Sequence, residues 1–320
     1  MTWYFVVITF ILSCFVLSWL SSSLIKSLVI IAKYLNWREF VISFFIIAFA
    51  ASLPNLFVDF GAVFHGIPEM ALGDIIGGNL VDLTLVLAVA VFFSRKGLSA
   101  KSEMVQKSAI FTTIIAILPL LLIFDENLSR TDGLILIFVF ILYIWWLFSK
   151  KERFKQYYKN EPQEQIKGLK IFLLNLIKII VLLILLLIAS QAVVSSAQFF
   201  SKSLGISIAL VGILIIGLGN SFPETYFSII SAREEKNWMV LGGLMGSVII
   251  SSTLVLGSIA LVNPFEIKDF SLFFTARIFL IVASILSLLL IRSGRKITRK
   301  EGLILLFVYV VFLLVEIFIK

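Results

Sequence analysis

Two acidic residues interrupt long apolar runs of this sequence. Glu224 ends the run Asn220-Ser221-Phe222-Pro223, and Asp82 follows the glycine-rich run 73–78. A carboxylate near the centre of a bilayer costs about 2.5–3.5 kcal/mol on insertion scales, so it is functional by default. The alternative is a protonated or helix-bridging carboxyl that serves only packing. Carboxylates beside hydroxyls and carbonyls make the oxygen-rich sites that hard cations such as Ca²⁺ prefer, so the sequence predicts a cation site.

Proline accompanies the polar residues in two apolar runs. Pro54 lies in Ala51-Ser52-Leu53-Pro54-Asn55, and Pro223 directly precedes Glu224. A proline inside a helix removes a backbone hydrogen bond, and lipid tolerates the freed carbonyl only where it lines protein or a wet cavity. We therefore predict a break in both helices, and a break or close packing at the glycines that follow in the next helix of each half. The predicted metal ligands are Glu224, Asp82, Asn55, Ser52, Ser221, Asn220, Ser247 and Ser251, with Asp59, Asp74, Ala51 and Gly78 as further candidates.

Asp59 and Asp74 each allow two interpretations. Asp59 lies four residues after Asn55 and shares its helix face, but it is nearer the end of the apolar run. An interfacial or solvated role is therefore as consistent with its position as a cation-binding role. The same two alternatives stay open for Asp74.

Composition indicates the elements that must position these residues. Hydrophobic residues make up 60% of the chain and charged residues 14%, and the mean hydropathy is +1.10. Soluble domains are less apolar and carry about 25% charged residues, and repeated apolar runs of about 20 residues are the length of transmembrane helices. The sequence therefore predicts an all-α polytopic membrane protein. Ten spans are predicted, at 3–32, 39–64, 70–93, 105–124, 133–149, 169–200, 206–232, 239–262, 270–291 and 302–319.

Basic residues concentrate in alternate linkers, most densely in 150–168 and 292–300. Because positively charged loops stay in the cytoplasm, this pattern predicts a multi-pass protein of the plasma membrane with both termini outside. The net charge of +8 is thus explained by topology rather than by nucleic-acid binding.

An internal repeat relates the two halves. A shift of 169 residues, the difference between positions 52 and 221, aligns Ser52 with Ser221 and Pro54 with Pro223. Each half holds five spans, an odd number, so the second half must cross the membrane in the opposite sense, as in many secondary transporters. An ancient duplication without a transport role is the alternative. We predict a first five-helix repeat at 1–149, a basic cytoplasmic linker at 150–168 and a second, inverted repeat at 169–320.

Other functional classes find no support in the sequence. A phosphate-binding loop with Lys-Ser/Thr is absent, as is any His/Cys cluster with metal-ligand spacing, and no nucleophile–base pattern appears. We therefore expect neither an enzyme nor a bound cofactor. The expected partners are the lipid bilayer and transported ions (Ca²⁺, with Na⁺ or H⁺), and no oligomeric state is predicted.

The motifs resemble those of the cation/Ca²⁺ antiporter superfamily, specifically the short prokaryotic form of the sodium/calcium exchanger membrane region. The run 219–224 matches its G-[TN]-S-x-P-E motif, and 50–55 matches it in part; 73–78 and 242–247 partly match its G-N-x-x-G-S motif. The resemblance implies two inverted repeats of five helices, Na⁺ (or H⁺) exchange for Ca²⁺ by alternating access, and sliding of the first and sixth helices.

Departures from those motifs leave alternatives open. Asn55 stands where the resemblance implies a glutamate, and Ser251 is the repeat counterpart of Asp82. Fewer anionic ligands predict weaker Ca²⁺ binding. The leading hypothesis is a Na⁺/Ca²⁺ or H⁺/Ca²⁺ antiporter. The alternatives are an exchanger of altered specificity, for a monovalent cation and H⁺ or for another divalent ion, and a transport-inactive membrane partner protein.

Overall fold

The structure is a computed structural model that describes residues 3–34, 47–149 and 169–319. The predicted linker 150–168 therefore lies outside the described residues. Ten helices follow one another in the described part: α1 Trp3–Tyr34, α2 Ile47–Phe64, α3 Pro68–Phe93, α4 Glu103–Asp125, α5 Arg130–Ser149, α6 Leu169–Leu204, α7 Ile208–Arg233, α8 Asn237–Val262, α9 Phe270–Arg292 and α10 Arg299–Ile319.

Each predicted span overlaps one of these helices, and residues 39–46 of the second span lie outside the described residues. Among the described residues, nine helices are long and apolar enough to cross a membrane, and α2 contributes the shorter apolar stretch Ser52–Phe64. Helices suit this environment because they satisfy every interior backbone hydrogen bond without water. The prediction of a polytopic helical membrane fold is confirmed.

Burial separates inner helices from outer ones. In their most apolar windows α3 and α8 are each 78% buried, whereas α6 is only 11% buried. Large apolar side chains of α6, such as Ile177 and Ile188, face outward, where lipid would cover them. The polar residues of the inner helices must therefore find their partners within the protein.

Packing repeats with the pseudo-symmetry of two inverted halves. Helix α3 packs against α7 just as its counterpart α8 packs against α2, and α10 packs on α3 as α5 packs on α8. Helices α1 and α6, which are equivalent to each other, lie side by side. Four helices (α2, α3, α7 and α8) therefore meet at the centre of the molecule.

Local irregularities of α3 and α8 follow the same repeat, and α7 carries a further π-helical segment at Val211–Ile216. Both α3 and α8 widen into a π-helical segment, at Asp82–Val86 and Ser251–Val255, and the two segments are separated by the 169-residue offset found in the sequence. Such π-segments are frequent at functional sites. Ser287 of α9 donates a hydrogen bond to the carbonyl oxygen of Leu83, 2.9 Å away, inside the first segment.

Two short strand pairs, which the sequence did not predict, join linkers of the two halves. Strand β1 (Leu98–Ser99) pairs antiparallel with β4 (Lys296–Ile297), and β2 (Asn127–Leu128) pairs with β3 (Phe265–Glu266). Because β1 and β4 follow odd-numbered helices while β2 and β3 follow even-numbered ones, the two pairs lie at opposite ends of the helices.

The predicted helix break occurs at only one of the two prolines. Helix α7 is interrupted at Ser221, but α2 continues through Pro54, so the predicted break in α2 is wrong. Pro54 cannot donate to the carbonyl of Ala50, four residues earlier. The hydroxyl of Ser21 on α1 donates to that oxygen instead, at 3.0 Å. The repeat counterpart of Ser21, Ser190 on α6, donates to Leu187 within its own helix.

The glycines of α3 provide close packing rather than a break. An added Cβ at Gly77 would lie 2.8 Å from both Cα and the carbonyl carbon of Ile213 on α7, and one at Gly73 would lie 2.5 Å from the Ala209 oxygen. Helix α3 remains continuous through both positions. Of the two alternatives predicted for these glycines, the structure therefore shows close approach, as is common between helices in membranes.

Candidate cation site

Four carboxylates are buried where α2, α3, α7 and α8 meet. Asp59 is 0% exposed, Asp74 2%, Asp82 3% and Glu224 4%. The interfacial or solvated alternative for Asp59 and Asp74 is therefore not what the structure shows. Within the described residues, no lysine or arginine forms an ion pair with any of these carboxylates. The ion pairs Lys107–Glu103 and Lys236–Glu234 lie near helix ends instead.

Asp82 and Glu224 form the first carboxylate pair. Asp82 is the strongest charged neighbour of Glu224, and the hydroxyl of Ser247 donates to Glu224 Oε1 at 3.3 Å. The hydroxyls of Ser221 and Ser247 also lie within hydrogen-bonding reach of Asp82. Asp82 Oδ1 and Glu224 Oε2 are buried without a hydrogen-bond donor. The pair thus presents free carboxylate oxygens beside two serine hydroxyls.

The interruption of α7 positions Glu224. After the non-helical conformation of Ser221 (φ −80°, ψ 2°), the helix restarts at Phe222 with Pro223 in its first turn. Glu224 therefore lies in the first turn of the new helical segment, where the unpaired N–H groups and the helix dipole favour a negative charge. Ser221 donates to the Gly217 oxygen at 3.0 Å, which fixes its side chain across the break.

Asp59 and Asp74 form a second carboxylate pair. Their side chains lie within hydrogen-bonding reach of each other, and Asn220 donates its amide Nδ2 to Asp74 Oδ2 at 2.6 Å. Both oxygens of Asp59, and Oδ1 of Asp74, are buried without a hydrogen-bond donor. The sequence indicates these two acids only as further candidates, because nothing in the chain order shows that α2 and α3 bring them together.

Ser251 belongs to a bridge between α3 and α8. Its hydroxyl lies 2.8 Å from Asn79 Oδ1 and 2.6 Å from the Ser247 carbonyl oxygen, and Asn79 Nδ2 donates to Ser252 Oγ at 2.8 Å. Asn79 was not among the predicted ligands. The sequence feature that could have identified Asn79 is its amide side chain, which lies on the same buried helix as Asp74 and Asp82.

The remaining predicted residues lie around the two pairs. Ser52 is buried, and Asn55 has a buried Oδ1 without a hydrogen-bond donor, one helical turn before Asp59. Gly78 adjoins the second pair, since a Cβ there would lie 3.9 Å from Asp74 Oδ1. Ala51 lies on α2, next to Ser52.

The acids are arranged as pairs rather than as one compact metal cluster. No group of three or more His, Cys, Asp or Glu side chains in the described parts of the chain has the arrangement of a metal site. A bound cation would therefore draw most of its ligands from one carboxylate pair and from neutral oxygens. Such a mixed oxygen shell suits hard cations.

Ten helices in two inverted halves, with buried carboxylates at their junction, define a membrane transporter for cations. The family model for the sodium/calcium exchanger protein matches residues 5–149 and 174–318, and the chain belongs to this family. It is accordingly a secondary active cation antiporter.

Several proteins resemble the chain over nearly its whole length. It is 25% identical to sodium/calcium exchanger MaX1 of Methanosarcina acetivorans, over 93% of this chain and 95% of that protein. It is 26% identical to inner membrane protein YrbG of Escherichia coli, over 85% of each chain. A solved structure of the sodium-calcium exchanger NCX_Mj, soaked with Na⁺ and Sr²⁺, has 24% sequence identity to this chain. The superposition covers 96% of each chain with a TM-score of 0.66, so the two proteins share the fold.

Proposed function

We propose that the chain exchanges Na⁺ for Ca²⁺ and that the Asp82–Glu224 pair is the site at which Ca²⁺ binds. One observation carries the assignment: a carboxylate from each half meets the other among serine hydroxyls, and no basic side chain of the described residues neutralises them. The names of the relatives support the choice of ions, since MaX1 is a sodium/calcium exchanger and NCX_Mj was studied with Na⁺ and Sr²⁺.

Charge balance favours a cation at this pair. Two ionised carboxylates in a low-dielectric interior are stable only when a positive charge or protons compensate them. One Ca²⁺ or two Na⁺ would neutralise the pair. Because the same carboxylate oxygens would bind either Ca²⁺ or Na⁺, the two ions exclude each other at this pair. Such mutual exclusion is the basic requirement for exchange.

Ca²⁺ takes six to eight oxygen ligands, so the two carboxylates need neutral partners. The hydroxyls of Ser221 and Ser247 are within reach of Asp82, and the interruption at Ser221 exposes backbone groups beside them. Ser52, Asn55, Asn220 and Ser251 are the further neutral oxygens that we propose for the ion pathway.

Alternating access requires that the ions reach the site from either side in turn. We propose that α1 and α6 move together across the inner helices, because they pack along each other at the outside of the bundle. The α1–α2 hydrogen bond from Ser21 to Ala50 would then have to break or shift in the cycle. We further propose that the protein lies in the plasma membrane with both termini outside, as the alternating basic linkers indicate.

Replacement of Na⁺ by H⁺ or by another cation is the second candidate. It is favoured by one specific observation: Asn55 and Ser251, the repeat counterparts of Glu224 and Asp82, are neutral and add no carboxylate to the first pair. Transport of Ca²⁺ that depends on a pH gradient and not on Na⁺ would support this candidate against the first.

Equilibrium binding of ⁴⁵Ca²⁺ to the purified protein tests the site. We expect saturable binding in Na⁺-free buffer, competition by Na⁺, and about tenfold to hundredfold weaker binding in Glu224→Gln and Asp82→Asn, because each removes a charged ligand. Glu234→Gln is the matched control, since Glu234 directly follows the same helix and forms an exposed ion pair with Lys236. Unchanged ⁴⁵Ca²⁺ affinity in both site variants would refute the assignment.

A further inference from the structure

Two lysines face outward from the helices α1 and α6, on the surface that lipid would cover. Lys26 of α1 and Lys178 of α6 are both exposed, although each lies well inside its helix. Charged residues within membrane helices usually face the protein interior or a water-filled cavity, where partners balance their charge. In the described part of the chain no carboxylate forms an ion pair with either lysine; the ion pairs there involve Lys107 and Lys236. The described protein therefore leaves both charges unbalanced.

Ring contacts between α1 and α6 put the two lysines at nearly the same height. The rings of Tyr34 and Phe172 lie 4.8 Å apart where α1 ends and α6 begins, and further ring contacts near the other end of both helices show that they run antiparallel. Lys26 lies eight residues before Tyr34, and Lys178 lies six residues after Phe172. At a helical rise of 1.5 Å per residue these separations are about 12 Å and about 9 Å, so the two levels differ by only ~3 Å.

Helix length places that level at the edge of the hydrocarbon core. Helix α6 has 36 residues and α1 has 32. They are about 54 Å and about 48 Å long, so when centred they extend about 12 Å and about 9 Å beyond each face of a hydrocarbon core about 30 Å thick. Lys178 lies about 14 Å from the start of α6, and Lys26 lies about 12 Å from the end of α1. Both lysines therefore begin just inside the hydrocarbon boundary, and their long side chains can carry the amines out to the lipid headgroups.

The inverted repeat offers a comparison within the same molecule. At the offset of 169 residues, Lys26 corresponds to Ser195 of α6 and Lys178 to Thr9 of α1. Because the repeats are inverted, these neutral residues lie towards the opposite ends of the same two helices, and Ser195 is likewise exposed. The fold thus accepts neutral side chains at the equivalent positions. The two lysines are an addition at one end of the helix pair that packing does not demand.

The surroundings of the two lysines are basic at one level and apolar at the next. Neither helix contains an acidic residue, and all of their lysines except Lys202 lie towards this end: Lys26, Lys33, Lys170 and Lys178. Two helical turns closer to the membrane centre, on the same faces, the side chains of Trp19 and Leu185 are exposed. Amines at the headgroup level above an apolar surface are complementary to a molecule that carries a phosphate above its acyl chains.

We propose that this end of α1 and α6 binds an anionic phospholipid, and that Lys26 and Lys178 contact its headgroup phosphate. Charge complementarity selects this occupant over a zwitterionic lipid, because two unpaired amines favour a headgroup with net negative charge. The apolar faces below the lysines select a lipid over free phosphate. The inference goes beyond the proposed ion exchange and does not depend on which ions the protein carries.

Native mass spectrometry of the purified full-length protein tests this site, with dioleoylphosphatidylglycerol as the anionic probe and dioleoylphosphatidylcholine as the zwitterionic one. The wild type should bind the anionic lipid more tightly. Lys26→Gln and Lys178→Gln should each weaken its binding about fivefold, and the double variant about thirtyfold, because each change removes one attractive charge. Binding of the zwitterionic lipid should stay the same in all variants, which also shows that they are folded. The double variant with Lys26→Arg and Lys178→Arg keeps both charges and should keep the preference.

Lys202→Gln is the matched control, since Lys202 is an exposed lysine at the opposite end of α6. This variant should bind phosphatidylglycerol as the wild type does. Wild-type affinity for phosphatidylglycerol in the double glutamine variant would overturn the proposal. An equal loss in Lys202→Gln would overturn it as well, because the effect would then follow net charge and not these two positions. Displacement of the lipid by inorganic phosphate at constant ionic strength would show that phosphate alone occupies the site, and would refute a lipid as the ligand.

Discussion

The contact between α3 and α7 yields the sharpest test of how the fold supports the site. Gly77 and Gly78 are neighbours on α3, but only at Gly77 would an added Cβ overlap the backbone of α7. A Cβ at Gly77 would lie 2.8 Å from Ile213 Cα, well inside van der Waals contact, whereas a Cβ at Gly78 would meet nothing closer than 3.9 Å. The obstructing atoms at Gly77 are backbone atoms, so no side-chain rotation can relieve the overlap.

The expected difference in stability between the two alanine variants follows from two opposing effects. Alanine in place of glycine within a helix gains about 1 kcal/mol from its better helix propensity. Inserting a methyl group into a well-packed contact costs about 1–3 kcal/mol or more when the backbone must shift. Gly78→Ala should therefore be neutral or slightly stabilised, and Gly77→Ala should be less stable than Gly78→Ala by about 2 kcal/mol or more.

The consequence extends to ion binding because α3 carries Asp82 and α7 carries Glu224. Separation of the two helices at Gly77, five residues before Asp82, should widen the carboxylate pair and weaken ⁴⁵Ca²⁺ binding by about tenfold. Thermal unfolding of the two purified variants and their ⁴⁵Ca²⁺ affinities provide the measurement. Equal stability and equal affinity of the two alanine variants would refute the close contact.

Three further substitutions test hydrogen bonds that the fold depends on. Ser21→Ala should lower the free energy of unfolding by about 1 kcal/mol, because the carbonyl that Pro54 frees loses its donor. Ser27→Ala, which removes a hydroxyl that bonds only within α1, should destabilise less, and equal melting of the two variants would count against the role of Ser21. Asn79→Ala should lower the free energy of unfolding by about 1–3 kcal/mol, because Ser252 loses its hydrogen-bond donor. A melting temperature equal to that of the wild type would show that the α3–α8 bridge is dispensable. Ser287→Ala should cost about 1 kcal/mol by freeing the Leu83 carbonyl in the π-segment, while Ser293→Ala, beyond the end of α9, should not alter the melting temperature.

The sequence predicted the helices and their repeat because both follow from composition and spacing. Apolar runs long enough to cross a bilayer fix the number and position of the spans. The match of Ser52 and Pro54 with Ser221 and Pro223 established the offset, and the π-segments of α3 and α8 keep it. Neither inference needed knowledge of which helices touch.

The effect of the two prolines could not be predicted from local sequence. Pro54 and Pro223 occupy equivalent positions, yet only α7 is interrupted. The contacts from the neighbouring helix differ: Ser21 of α1 donates to the freed carbonyl in α2, while the equivalent Ser190 of α6 bonds within its own helix. Such tertiary contacts cannot be read from the local sequence.

The pairing of the acids could not be predicted from the sequence for the same reason. Spacing along the chain separates Asp59 from Asp74, and Asp82 from Glu224, so their proximity depends on how α2, α3, α7 and α8 meet. Asp59 was consistent with an interfacial role only because its distance from the helix end suggested water, and its burial removes that option. The assignment of the Asp82–Glu224 pair to Ca²⁺ stays a prediction.

Flux measurement in proteoliposomes shows whether the protein exchanges Na⁺ for Ca²⁺ and whether Glu224 is required. With Na⁺ inside and external Na⁺ replaced by choline, the wild-type protein should accumulate ⁴⁵Ca²⁺, equal Na⁺ on both sides should abolish that uptake, and Glu224→Gln should show none. Gradient-driven uptake in Glu224→Gln equal to that of the wild type, or wild-type uptake that does not respond to the Na⁺ gradient, would contradict the account.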